Sequence, residues 1–252
     1  VALDVRNVAV HFGGIKAVDG VSLQVLNGSI LGILGPNGSG KSTLLAAVSR
    51  LVDLTRGSMS FFGHEYDGVK PQEVARRGIA RTFQTVRLLE ELTVRENVLT
   101  GWDTARRRQG TDGRRPRGRR GAANNAAAEA MERCGLTGLE RARPSELSYG
   151  VQRRVEIARA IAMEPRLLLL DEPTAGMNQT ERREVSLLLR QLRSEGLAQL
   201  LVEHDVQMMV DTCDRLVAMN SGVTIAEGTP AAVVRNPAVQ EAYLGKKWRQ
   251  HA

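Results

Sequence analysis

No apolar run in this 252-residue chain approaches eighteen residues, which excludes a helix that crosses a bilayer. There are only two cysteines, Cys134 and Cys213, far apart and without metal-ligand spacing. That excludes a disulfide framework and a thiolate metal centre, and the two are expected to be reduced, buried thiols of a cytoplasmic protein. The stretch Val1 to Arg6 carries no signal-peptide pattern. Lysine is scarce, occurring only at positions 16, 41, 70, 246 and 247, so arginine supplies nearly all of the positive charge. A net charge of +7 attracts nucleic acid or an anionic membrane surface and does not choose between them. Hydrophobic content of 42% is ordinary for a globular chain, and the length fits one large domain or two lobes on one core.

What is present is more specific. Gly35 to Ser42 read G-P-N-G-S-G-K-S, the G-x-x-x-x-G-K-[ST] pattern of a phosphate-cradling loop. The apolar run Ile30 to Leu34 precedes it as a buried strand, and Thr43 to Val48 follows with helix-compatible composition. Gly35, Gly38 and Gly40 allow the backbone to wrap closely, so that the amides through Asn37, Ser39 and Thr43 form an anion nest at a helix N-terminus. Lys41 would reach the β- and γ-phosphates, and Ser42 would place its hydroxyl on Mg²⁺. The pattern predicts a nucleoside triphosphate site.

Alternation places Val8, Val10 and Phe12 on one strand face, followed by Val21, Leu23 and Val25, with a further strand of the same antiparallel layer at Ser58 to Phe62. Leu167 to Leu170, Gln199 to Val202 and Leu216 to Met219 are short continuous apolar runs, the character of parallel strands buried on both faces. Helical segments such as Glu181 to Glu195 lie between them, giving an α/β doubly wound core. The middle differs. Residues 106 to 120 hold eight arginines and no aliphatic side chain, which reads as an exposed insertion, and Ala122 to Met131 beside it looks helical. The expected organisation is a single domain over 1–252: a core with a β layer from 1–87 and 164–252, and a mainly helical lobe from 88–163.

Two further motifs stand downstream. Leu167 to Pro173 is an apolar strand ending in two carboxylates. Asp171 suits a water-mediated hold on Mg²⁺, and Glu172 suits a general base that polarises the attacking water. Leu147-Ser148-Tyr149-Gly150-Val151-Gln152 opens a helix with an apolar stripe of Val151, Val155, Ala158 and Ala162. Ser148 and Gly150 sit at its N-terminus, a natural anion site.

With the phosphate loop, a Gln after a strand, the Ser148 helix, the Asp-Glu pair and a late His in this order, the chain resembles the ATP-binding subunits of ABC transporters over its whole length. The resemblance implies a P-loop core, an antiparallel β layer and a helical signature lobe, with ATP and Mg²⁺ as ligands. It also implies individual roles. Phe12 stacks on adenine with Val18 beside it. Gln84 senses Mg²⁺ and the attacking water and couples the site to the helical lobe. Ser148 and Gly150 contact the γ-phosphate held by the opposite subunit, and His204 contacts the γ-phosphate from its own. The site is then complete only in a head-to-tail dimer.

The chain departs from the family's commonest forms twice. Tyr149 and Val151 replace residues of L-S-G-G-Q, and Ala175-Gly176-Met177-Asn178 stands where S-A-L-D is usual. These departures, with Ala80 to Gln84, Val202 to Asp205 and the tail Glu241 to Gly245, resemble the ATPases of branched-chain amino-acid importers. The implied partners are two transmembrane permease subunits and a second ATPase subunit, identical or different, at the cytoplasmic face of the membrane, with no nucleic acid. Urea or amide import, lipid export, or a soluble ATPase acting on nucleic acid are the alternatives.

Overall fold

The computed structural model describes residues 1–108 and 119–244. The arginine-rich insertion expected at 106–120 therefore lies mostly outside the described residues, between two helices that lead into and out of it. The described chain forms two sheets. In the first, β1 (Leu3–Phe12) and β2 (Ile15–Val25) make a hairpin, and β4 (Arg56–Phe61) and β5 (His64–Glu65) extend it in the antiparallel order β2-β1-β4-β5. The second holds β3 (Ile30–Leu34), β6 (Ile79–Arg81), β7 (Leu167–Asp171), β8 (Ala198–Val202), β9 (Arg215–Asn220) and β10 (Val223–Gly228) in the order β10-β9-β3-β8-β7-β6. Its strands run parallel except for β10, which pairs antiparallel with β9. This is the α/β core with an antiparallel layer that the apolar runs predict.

Successive side chains of a strand point to opposite faces, so each parallel strand feeds two cores. Leu167 and Leu169, Leu200 and Val202, and Leu31 and Ile33 pack toward the antiparallel layer and α1 (Lys41–Val48). Leu168 and Leu170, Leu201, and Ile30 and Leu34 pack on the opposite face. The helices of that second core are α3 (Val94–Arg108), α4 (Arg119–Arg133), α5 (Tyr149–Ile161), α6 (Gln179–Ser194) and α7 (Val206–Thr212), while α2 (Pro71–Arg77) leads into β6. Helix α5 packs on α3 and α4 and reaches β6. Val155 and Ala158 of its expected stripe are wholly buried.

The alternation expected along β1 fails at its end. Val8 and Val10 are buried, but Phe12 is 51% exposed. The pairing of β1 with β2 shifts register between Val8 and Val10 and again between Val10 and His11. Both shifts set an extra residue into β2 rather than β1, and Phe12, the last residue of β1, stands at the hairpin turn. Phe12 pairs directly with Ile15, which is 70% exposed.

The two cysteines are unpaired and buried. Burial pushes the Cys134 thiol up to about 12 and raises that of Cys213 further.

Asn178, the departure from the usual Asp, is the N-cap of α6. Its Oδ1 accepts from the Glu181 amide at 3.0 Å, and the Glu181 carboxylate accepts from the Asn178 amide at 3.0 Å, so the two satisfy each other's free donors. We expect Asn178→Ala to lower stability by about 1 kcal/mol and Asn178→Asp to be close to neutral, as read from urea unfolding midpoints.

Candidate nucleotide site

The loop between β3 and α1 is shaped by Gly40, the residue that precedes the helix. Its φ of 99° lies in the left-handed region, and a Cβ there would stand 2.2 Å from the Ala17 carbonyl oxygen. No side chain caps α1, so the first-turn amides remain available to an anion. Lys41 is buried, and its Nζ donates to the carbonyls of Gly35 at 2.7 Å and Pro36 at 2.9 Å. Burial pushes its ammonium below the usual lysine range, and the charges of Glu172 and Asp171 pull it back up. A cleft of about 300 Å³ opens here between Ile15, Lys16 and Ala17 on one side and Gly38 to Thr43 on the other. Asn37 and Gly38 are exposed at its rim. The Ser39 hydroxyl is buried without a protein partner, an orphaned donor that fits a phosphate-binding loop.

Facing this loop is the end of β7. Asp171 is 3% exposed; its Oδ1 accepts from the Ser42 hydroxyl at 3.3 Å and its Oδ2 from the Arg81 guanidinium at 3.1 Å. Glu172 is 7% exposed and adopts a left-handed φ of 50°, held there by its amide's bond to the Val202 carbonyl at 2.9 Å. For a residue with a side chain this backbone is strained by about 1–3 kcal/mol, and such strain persists only where the surroundings over-determine it. The Glu172 carboxylate is bracketed: Gln84 Nε2 donates to Oε2 at 2.9 Å, and the His204 ring meets Oε1. Behind them Glu203, also buried, accepts from the Thr174 amide and hydroxyl at 2.7 and 2.6 Å and from the His204 amide at 3.1 Å. It fixes the loop after the Asp-Glu pair to the loop that carries the histidine.

Lys41, Ser42, Gln84, Asp171, Glu172 and His204, which the sequence scatters over more than 160 positions, are therefore gathered into one cluster beside the phosphate loop, and Lys41 and Ser42 of this cluster line the cleft. Val18 is placed differently, whereas Ser148 and Gly150 stand at the N-terminus of α5 as expected. Val18 has no exposed surface and belongs to the core, so its side chain backs the wall and Ile15 is the apolar side chain lining the cleft. Ser148 and Gly150 lie on α5, with Ser148 exposed and capping the helix and Gly150 buried beneath the Glu181 carboxylate. A Cβ at Gly150 would come within 2.4 Å of Glu181 Oε1. Sequence reasoning missed Arg81 and Glu203. Glu203 stands beside the flagged His204, which was a usable signal, whereas an arginine at the end of a short strand carried none.

A β3–loop–α1 phosphate cradle facing strand-end carboxylates defines a P-loop nucleotide-binding protein. A family model described as ABC transporter matches residues 18–175, and one described as branched-chain amino acid ATP-binding cassette transporter matches residues 223–248. The chain belongs to the ABC transporter ATP-binding family. It is 38% identical over 249 residues to the high-affinity branched-chain amino acid transport ATP-binding protein BraF of Pseudomonas aeruginosa, covering 97% of this chain and 98% of that one. Among solved structures it resembles the ADP conformation of an ATP-binding cassette of an ABC transporter, with a TM-score of 0.85, 31% identity and coverage of 97% and 99%. A dimeric cassette in a post-hydrolysis state bound to ADP and Pi gives a TM-score of 0.78 at 26% identity, with coverage of 90% and 98%.

The Arg81–Asp171 pair has side chains 10% and 4% exposed. Removing one partner of a buried pair leaves an uncompensated charge, at a cost of about 3–5 kcal/mol. Arg81→Met is expected to lose stability on that scale in urea titrations without divalent cations, and Arg81→Met with Asp171→Asn to regain most of it. A neutral single variant would remove Arg81 from this role.

Proposed function

We propose that this chain hydrolyses ATP as the nucleotide-binding subunit of a membrane importer for branched-chain or related amino acids. The observation that carries the hydrolytic part is the Glu172 carboxylate, strained, nearly buried and aimed between Gln84 and His204 beside the Lys41 loop. A carboxylate so placed accepts the proton of an attacking water as general base. His204, in contact with that carboxylate, would meet the γ-phosphate, and Lys41 and the loop amides would meet the charge that develops on it. Phe12, exposed opposite Ile15, offers a face to the adenine. The Ser42 hydroxyl and the Asp171 carboxylate are a hard oxygen donor set that fits Mg²⁺, with Gln84 as a further oxygen, since that ion takes one or two protein oxygens beside phosphate. Bound there, Mg²⁺ would supply neutralisation of the phosphate charge.

Ser148 and Gly150, carried on α5, would close over the nucleotide of a second ATPase subunit, identical or different, which makes the dimer the working unit. Similarity to BraF along nearly the whole chain, together with the match at residues 223–248, supports the amino-acid substrate class. Among the described residues no helix is long and apolar enough to cross a membrane. The transport path would come from two permease subunits, with this chain bound at their cytoplasmic face.

The test uses a tagged Glu172→Gln chain. We expect it to bind ATP normally, to lose about 100-fold or more in turnover, and to recover two permeases and an ATPase partner when extracted from native membranes with ATP. Unchanged turnover would remove Glu172 as the base. Recovery of nucleic acid or ribosomal proteins in place of permeases would overturn the transport assignment.

A further inference from the structure

The largest wholly buried side chain among the described residues is an arginine, Arg153, on the second turn of α5. Burying a guanidinium is costly unless its charge and donors are met. Its charge is met by Glu156, 2.7 Å away on the same helix. Two of its nitrogens also reach carbonyls off the helix, while Nε has no partner among the described residues. Nη1 also donates to the Phe83 carbonyl and Nη2 to the Gln84 carbonyl, and Nη2 donates to the Tyr149 hydroxyl at 3.1 Å. The guanidinium also lies 5.7 Å from the centre of the Tyr149 ring. Tyr149 in turn packs against Gly176, in the loop that follows the Asp-Glu pair.

These bonds form a continuous line. Glu172 holds the Gln84 side chain, the Gln84 and Phe83 main chain hold Arg153, and Arg153 holds Tyr149 at the tip of α5, between Ser148 and Gly150. We propose that Arg153 is a positioning residue which transmits the state of the chain's own nucleotide site, through the Gln84 main chain, to the tip of α5 that it presents to a second subunit. The inference rests on the proposed function. It also accounts for the unusual tyrosine in the signature, whose hydroxyl is the last acceptor of the line and which a glycine at that position could not supply. The guanidinium suits the task because its fixed fork reaches both carbonyls and the phenol at once, which an ammonium cannot.

The coupling is read in the full chain, at concentrations where it is monomeric, by amide hydrogen exchange with and without ATP. ATP should slow exchange in two places: at the loop 35–43, where it binds, and at 147–152, by about ten-fold, through the line of bonds. In Arg153→Gln with Glu156→Gln, which neutralises the buried pair together, the response at 35–43 should persist while that at 147–152 falls below about two-fold. Arg153→Lys should keep an intermediate response. If the double variant does not fold, Gln84→Ala cuts the same line from its exposed end and should abolish the same response. A residue that merely cements the lobe would lower stability yet leave the response at 147–152 intact, and that result overturns the proposal. So does an unmodified chain that responds only at 35–43. An unmodified chain that responds at neither place would instead overturn the nucleotide reading itself.

Discussion

Two adjacent carboxylates withdrawn from water at the end of β7 are the constraint around which the remainder of the molecule is arranged. Removing a carboxylate from water costs several kcal/mol unless its oxygens are met by donors and opposite charge. Asp171 and Glu172 meet that requirement with four side chains from three separate segments: Ser42 on α1, Arg81 on β6 with Gln84 just beyond it, and His204 beyond β8. Only the strand order makes this possible. With β7 between β6 and β8, and β3 beside β8, the loops that leave these parallel strands converge at one edge of the sheet. That edge is where ligands bind in open α/β sheets.

The same arrangement explains the division of labour between layers. The antiparallel sheet and α1 hold the phosphate loop from one side, and Phe12 and Ile15 project from the hairpin of that sheet beside the cleft. The opposite core joins α5 to the site through buried polar contacts as well as apolar packing, and Arg153 is the main example. A helix anchored only by leucines could settle at several small offsets. One anchored by directional bonds to the main chain of 83–84 takes its position from that loop. The Gln84 loop is thus a mechanical element with the carboxylates at one end and the signature tip at the other.

Much of this was legible in the sequence, and the parts that were not share a cause. The apolar runs of β7, β8 and β9 read correctly because a parallel strand buried on both faces is nearly all apolar, Gln199 of β8 being a buried exception. The phosphate loop and the Asp-Glu pair read correctly because their chemistry needs fixed residue types at fixed spacing. Phe12 was grouped on one face with Val8 and Val10, but it ends β1 at the hairpin turn, where alternation no longer implies burial. Val18 was assigned to the nucleotide by its place in the motif order, whereas the pairing of Val10 with Val18 puts it inside the core. Arg81 and Arg153 escaped notice because arginine, so abundant in this chain, reads as surface; only tertiary placement shows that the first is largely and the second wholly withdrawn from solvent.

The central claim is that the strand-end carboxylates and the phosphate loop act as one site in which Asp171 answers to the cation and Lys41 to the phosphate. Calorimetric titration of ATP into the chain with and without Mg²⁺, repeated on Asp171→Asn, tests this most directly. The account predicts that Mg²⁺ tightens ATP binding to the unmodified chain by about ten-fold, and that Asp171→Asn removes most of this gain while still binding ATP through the loop. An Asp171→Asn chain that keeps the full Mg²⁺ dependence would contradict it.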